Sequence, residues 1–183
     1  MAVINPAIDG IKFLIGKWEA MQAKVLYLLR YHTLIFSNKN FFSQGHYPTI
    51  QDFSYNEIIT FESLGQPLLN YTSKSYHLET KKPMHLESGF LRVNPGTNQI
   101  AFMVSHNFGL VILEEGEFDA DKQEITLASQ TIGRMSFAKE PEVTGLRRTI
   151  KLQSDGNLEI MTDMKTNRTE FTNHLKVLYK RIE

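Results

Sequence analysis

The sequence predicts an all-β fold, an antiparallel barrel with a short N-terminal helix capping one end. Three observations lead there: apolar residues alternate along successive runs from residue 50 onward, turn residues separate the runs at short intervals, and helical spacing is confined to the N-terminus. Strands joined by short links must pair antiparallel, because parallel neighbours need a long, usually helical, crossover. Closure into a barrel also removes the exposed sheet edges.

The helix is read first. Asn5 can accept a first-turn amide and Pro6 lacks an N–H where none is needed. Ile8, Ile11 and Ile15 follow at helical spacing, so a short amphipathic helix is expected over 6–15, ending at Gly16. The first strand, in Q-D-F-S-Y-N-E-I-I-T-F, alternates through Phe53, Tyr55, Ile59 and Phe61 with one apparent phase change, for which a bulge near Glu57 is the expected cause. Further strands are expected at 67–78, 85–93, 99–105, 109–118, 124–129, 135–138, 144–153, 158–164 and 172–181, about ten in all. The links S-L-G-Q-P, N-P-G-T-N, D-A-D and S-D-G-N carry turn chemistry.

A chain of 183 residues with 42% hydrophobic and 22% charged residues suits one folded domain over 1–183. Twenty basic residues balance 20 acidic ones, so no summed positive field draws nucleic acid or anionic lipid. Without cysteine there are no disulfides, no thiolate nucleophiles and no sulfur-built zinc sites, which suits a cytoplasmic or nuclear setting. The N-terminus lacks the basic start and apolar core of a secretory signal.

Residues 25–44 form an atypical inserted segment, V-L-Y-L-L-R-Y-H-T-L-I-F-S-N-K-N-F-F-S-Q, with no acidic residue. Its apolar part contains Arg30 and His32 and is too short to span a bilayer. A hairpin excursion or added helix packed on the barrel is one reading, and a hydrophobic contact surface is another. A third is a translated intron: Lys24-Val25 is codable as AAG followed by GTA, and F-F-S-Q as a pyrimidine tract closing in CAG. Joining Lys24 to Gly45 then gives G-K-W-E-A-M-Q-A-K-G-H-Y-P-T-I.

No zinc-protease helix motif, phosphate-binding glycine loop or nucleophile elbow is present. His77 with Glu79, and His85 with Glu87, each share a strand face and could suggest a metal pair, but are read as solvent-facing or ordinary polar contacts, and Glu114, Glu115 and Glu117 are read as needing no metal. His174, near the start of the last strand, stands out differently. Leu175, Val177 and Tyr179 share one face, so regular alternation sends His174 to the other. It reaches the interior only if it precedes regular pairing or sits on a bulge.

A series of motifs carries a resemblance. With Lys24 joined to Gly45, the order is Gly16-Lys17-Trp18, Gly45-His46-Tyr47-Pro48-Thr49-Ile50, Gly65-Gln66-Pro67 with Leu69-Asn70-Tyr71, and Lys82-Pro83-Met84-His85. Glu87, Gly89-Phe90, Arg92, Glu115-Gly116-Glu117, Ser136-Phe137-Ala138-Lys139-Glu140 and His174-Leu175 follow. In order and spacing the chain resembles the nitrobindin family, most closely the nitrobindin-like domain at the C-terminal end of vertebrate THAP zinc-finger proteins. The resemblance covers nearly all of 8–182 outside the inserted segment. One departure is E-A-M-Q-A-K after Trp18, where the family is glycine-rich.

The resemblance implies a ten-stranded antiparallel barrel like fatty-acid-binding proteins, holding heme b whose ferric iron takes one axial histidine. His174 matches that ligand. Thr49, Ile50, Met84, His85 and Met164 match residues lining the heme cavity. The implied partners are heme and small reactive nitrogen species, and the implied chemistry is nitric oxide binding and isomerisation of peroxynitrite to nitrate beneath a small, mostly apolar open face. Two rivals stand beside this reading: a non-enzymatic carrier of a lipid or other apolar ligand, and a partner-binding protein with a decayed cavity.

Overall fold

The computed structural model describes residues 4–21, 23–25, 43–45 and 53–183, with side chains for 4–21 and 55–183. Thr49, Ile50 and most of the 25–44 segment lie outside the described residues. The helix is a 3₁₀ helix, Pro6–Leu14, capped by the Asn5 side chain, which accepts from the Ala7 amide at 3.0 Å. Ile8, Ile11, Phe13 and Leu14 are buried against the end of the barrel. Among the described residues twelve strands follow: β1 Gly16–Ala20, β2 Ala23–Val25, β3 Ser43–Gly45, β4 Phe53–Ser63, β5 Leu68–His77, β6 Pro83–Val93, β7 Gln99–His106, β8 Leu110–Asp119, β9 Glu124–Arg134, β10 Val143–Leu152, β11 Leu158–Thr166 and β12 Thr169–Arg181.

From β4 to β12 each strand pairs antiparallel with the next, and β1 closes the sheet by pairing with both β4 and β12. β2 continues β1 along β4 with a one-residue slip, from Glu19 opposite Ile58 to Ala23 opposite Tyr55. The nine strands β4 to β12 together with β1 therefore form a ten-stranded antiparallel barrel, with β3 as an additional strip between β2 and β12. Extending the β1·β12 register places Lys24 opposite Leu175, but Gly45 of β3 takes that place. Among the described residues no helix is long and apolar enough to cross a membrane.

Two expectations are corrected in the strand list. Residues 135–138 are a turn: Met135 N–H donates to Gly109 O and Ala138 N–H to Met135 O, while the Arg134 guanidinium donates to Ala138 O and pairs with Glu140. Met135 and Phe137 are correspondingly exposed. The tenth strand position is β1 instead, whose five residues are too few to show alternation. The bulge near Glu57 is also absent, because β4 pairs with β5 without a shift from Tyr55 to Ser63. Glu57 lies in phase with Tyr55, Ile59 and Phe61, so the interrupted pattern reflects a carboxylate inside the barrel.

Antiparallel register sorts the interior by height. Trp18, Phe61, Leu69, Leu91, Val93, Ile100, Phe102, Ile125, Ile150, Leu158 and Val177 form the packed apolar core towards the helix. Trp18 is fully buried and donates Nε1–H to Leu14 O at 2.8 Å, with the Arg181 guanidinium over its ring at 4.2 Å. Arg181 also donates to Ile15 O and Phe13 O, tying the last strand to the helix end. Gly16 turns the chain between them at φ 133°, a conformation that favours glycine, and an added Cβ would strike Glu183 O.

Trp18 thus joins helix, β1 and the last strand. Trp18→Ala is expected to lower stability by about 3–5 kcal/mol, the usual cost of truncating a buried aromatic. The check is a fall in the denaturant midpoint with unchanged slope.

Candidate functional site: the histidine end of the barrel

Running away from the helix, β6 reaches His85, β7 reaches His106, β11 reaches Met164 and β12 reaches His174. These residues consequently share the other end of the barrel. Two bulges aim the histidines there.

On β12, Leu175 faces Thr162 and Asn173 faces Asp163, so His174 is the extra residue. The bulge accounts for a histidine and the following leucine both escaping strict alternation. His174 is partly buried, and its pKa is lowered to about 4 by desolvation and by nearby His85. It is therefore a neutral imidazole at pH 7.

On β6, Lys74 faces Leu86 and Tyr76 faces Pro83, leaving Met84 and His85 together opposite Ser75. Ser75 clamps the bulge: its Oγ accepts from His85 N–H at 2.9 Å and donates to His85 O at 3.1 Å. Asn107 holds the flanks, accepting from Leu86 N–H at 3.0 Å and donating to Met84 O at 2.9 Å. Met84 packs against the core, while the neighbouring His85 joins the polar cluster. Met164, opposite Leu146 and Thr172, continues the inward phase of Leu158, Ile160 and Thr162 and is partly buried.

His85 does not stand alone. Its Nε2 lies 3.0 Å from His106 Nδ1 and 3.4 Å from Glu87 Oε1, and His106 Nδ1 lies 3.3 Å from the same oxygen. The Phe108 ring packs beside both imidazoles. Tyr71 O–H donates to Glu87 Oε2 at 2.8 Å. Below this cluster, Arg148 forms a buried two-point ion pair with Glu114 at 3.2 and 3.0 Å. Glu57 accepts from Ser73 Oγ at 2.6 Å and Tyr179 O–H at 2.9 Å.

Burial opposes every charge here, so the partners decide the protonation states. Burial pushes Glu87 up, but the His106 hydrogen bond and the Arg148 guanidinium outweigh it and hold the carboxyl far below its ordinary value. Arg148 loses hydration, yet Glu114 and Glu87 keep it charged. Desolvation raises Glu57 despite its two hydroxyl donors. Burial lowers His85 and Glu87 partly offsets it. Glu87 is thus an interior carboxylate, and His85, partly exposed, joins it in the polar contacts of this wall.

Glu57, His106 and Arg148 were not candidates in the sequence, and Glu87 and Glu114 were read there as needing no metal. One signal was available for His106: it continues the phase of the buried Ile100, Phe102 and Val104. The pairing of Glu87 opposite His106 needs strand register, which a single sequence does not display.

The chain matches the family described as "THAP4-like, heme-binding beta-barrel domain" over residues 7–181. It belongs to that family. Relatives are named Peroxynitrite isomerase THAP4 in human, 37% identical over 179 residues, and in cattle, 45% identical over 179 residues; the match covers 98% of this chain and 27% of each. The chain thus spans about a quarter of these vertebrate proteins. A protein from Arabidopsis thaliana named Peroxynitrite isomerase Rv2717c is 30% identical, with 98% of this chain and 91% of the relative covered. The crystal structure of Rv2717c from M. tuberculosis superposes with a TM-score of 0.76 at 26% identity, covering 98% of this chain and 99% of that one.

The residues present fit the family's group. A neutral imidazole has a lone pair to give, and the bulge sets His174 in the partly buried end of a barrel with a half-buried Met164 on the adjacent strand. The same shift predicts a pH dependence for the heme-free chain. Above pH 6.5 His174 is neutral in folded and unfolded chains alike. As pH falls from 6.5 towards 4 the unfolded chain gains a proton that the folded one does not, so stability is lost across that window. The loss assignable to His174 is about 2–3 kcal/mol. Urea unfolding at pH 7 and pH 4.5 should show a smaller drop for His174→Gln than for the wild type.

Proposed function

We propose that this chain binds heme b with His174 as the axial ligand and isomerises peroxynitrite to nitrate, with nitric oxide as a further ligand. The observation that carries the reading is the bulge of β12, which breaks alternation at one histidine inside a barrel of a heme-binding family. The names of the human, bovine and plant relatives support the activity. Ferric heme, when bound, supplies the iron at which peroxynitrite is converted.

The chain's own part is placement and electrostatics. His174, kept neutral by desolvation, offers a nitrogen lone pair. Met84, His85 and Met164 are assigned to the cavity wall, the role that the family resemblance also gives to Thr49 and Ile50, which lie outside the described residues. The barrel limits water around the bound anion, and the apolar core at the helix end supports the strands that carry these residues. His85, partly exposed and neutral at pH 7, is the imidazole best placed to hydrogen-bond a small ligand entering at this end.

The test is a visible absorption titration of the purified chain with ferric heme. One equivalent should produce a Soret band, and His174→Ala should abolish or strongly shift it while the circular dichroism of the barrel is retained. The loaded chain should then increase the nitrate yield from peroxynitrite. An unchanged spectrum in His174→Ala overturns the ligand assignment. Absence of heme binding in the wild type, with an apolar fluorophore bound instead, favours a carrier.

A further inference from the structure

We propose that His85, Glu87 and His106 form a binding site for a divalent transition-metal ion, zinc or ferrous iron, separate from the axial ligand His174. The three donor atoms form a small triangle, with edges of 3.0, 3.3 and 3.4 Å. An ion with bonds of about 2.0–2.1 Å needs ligand separations of about 3.3 Å when tetrahedral and about 3.0 Å across an octahedral face. The observed edges span that interval. An ion can therefore cap the triangle with little movement of the side chains.

Hydrogen bonding alone does not satisfy the same triangle. An ionised Glu87 only accepts, and a neutral imidazole presents either N–H or a lone pair at each nitrogen. If both histidines point N–H at Glu87, two donors face each other across 3.0 Å. With only one N–H in the triangle, the other histidine and Glu87 are left as two acceptors within 3.4 Å. Every neutral tautomer leaves one edge repulsive. A cation makes all three lone pairs attractive.

The supporting contacts suit ligands. Tyr71 occupies Glu87 Oε2 and leaves Oε1 to the histidines. Ser75 fixes the His85 backbone, and Asn107 locks β6 around it. The His106 side chain is 4% exposed, and its far nitrogen Nε2 has no partner among the described residues, so the ring's polar contacts run through Nδ1. The His85 side chain is 42% exposed, which opens one side of the triangle to an arriving ion and its remaining waters. Nearby Glu114 and Glu87 face one Arg148, so the interior holds an excess of carboxylate that a cation offsets. Two imidazoles with one carboxylate and no sulfur select zinc, iron, cobalt or nickel over magnesium or calcium.

Cobalt(II) is the probe, added to the purified full chain without heme. One equivalent should give visible d–d bands that zinc abolishes by displacement. His106→Gln and His85→Gln should each weaken binding at least tenfold, whereas His174→Ala should leave it intact, with circular dichroism confirming the fold of each. No cobalt binding by folded wild-type chain at 100 μM (roughly the weakest affinity worth calling a site) overturns the proposal. So does binding that survives both glutamine variants, or binding lost with His174→Ala. Because the probe is added to heme-free protein, this result and the heme titration stand or fall separately.

Discussion

A sheet closed on itself has no edge and only two faces, so each regular strand sends alternate side chains inward and outward. Everything distinctive about the interior follows from where that alternation is kept and where it is broken. The helix end keeps it, and there the apolar residues of all the long strands meet over Trp18. Towards the opposite end it is broken at several places, and two of them, Met84–His85 and His174, concern histidines. Each of these two brings a histidine that a regular strand could not supply. In the first the extra residue lies opposite Ser75; in the second it falls between Leu175, which faces Thr162, and Asn173, which faces Asp163.

Between the two ends lies a layer of buried charge. Glu114 and Arg148 satisfy one another with two hydrogen bonds, and Glu57 is satisfied by Ser73 and Tyr179. Paired in this way, the charges avoid the large cost of an isolated buried ion, although their net effect on stability is modest because both partners lose water. Their consequence for function is the field they set. Arg148 and His106 keep Glu87 ionised, and Glu87 in turn orders the two imidazoles above it. His174, desolvated and near His85, stays a neutral imidazole at pH 7.

The sequence displayed the barrel well because alternation and turn chemistry are local properties. Residues 67–78, 99–105 and 109–118 became β5, β7 and β8 with shifts of a residue or so at their ends. Where apolar content misled, it did so for a reason: Met135 and Phe137 look like strand residues but lie exposed in a turn that Arg134 holds. Glu57 looked like a slip in register because a carboxylate on the inner face is unusual, and its partners Ser73 and Tyr179 are distant in sequence. Parity raised the question at His174 and left open a place before regular pairing or a bulge; the structure has the bulge. The second bulge was not visible, since Met84 and His85 give no periodic signal. The His85–Glu87–His106 cluster depends on the pairing of β6 with β7, and only structure supplies that register.

The central claim is that the bulge of β12 brings His174 into the barrel as the proposed ligand of heme iron, near the His85, Glu87 and His106 cluster of β6 and β7. A crystal structure of the chain grown with ferric heme tests this most directly. The account predicts iron bonded to an imidazole nitrogen of His174. Iron bonded to His85 or His106, or heme seated outside the barrel, would contradict it.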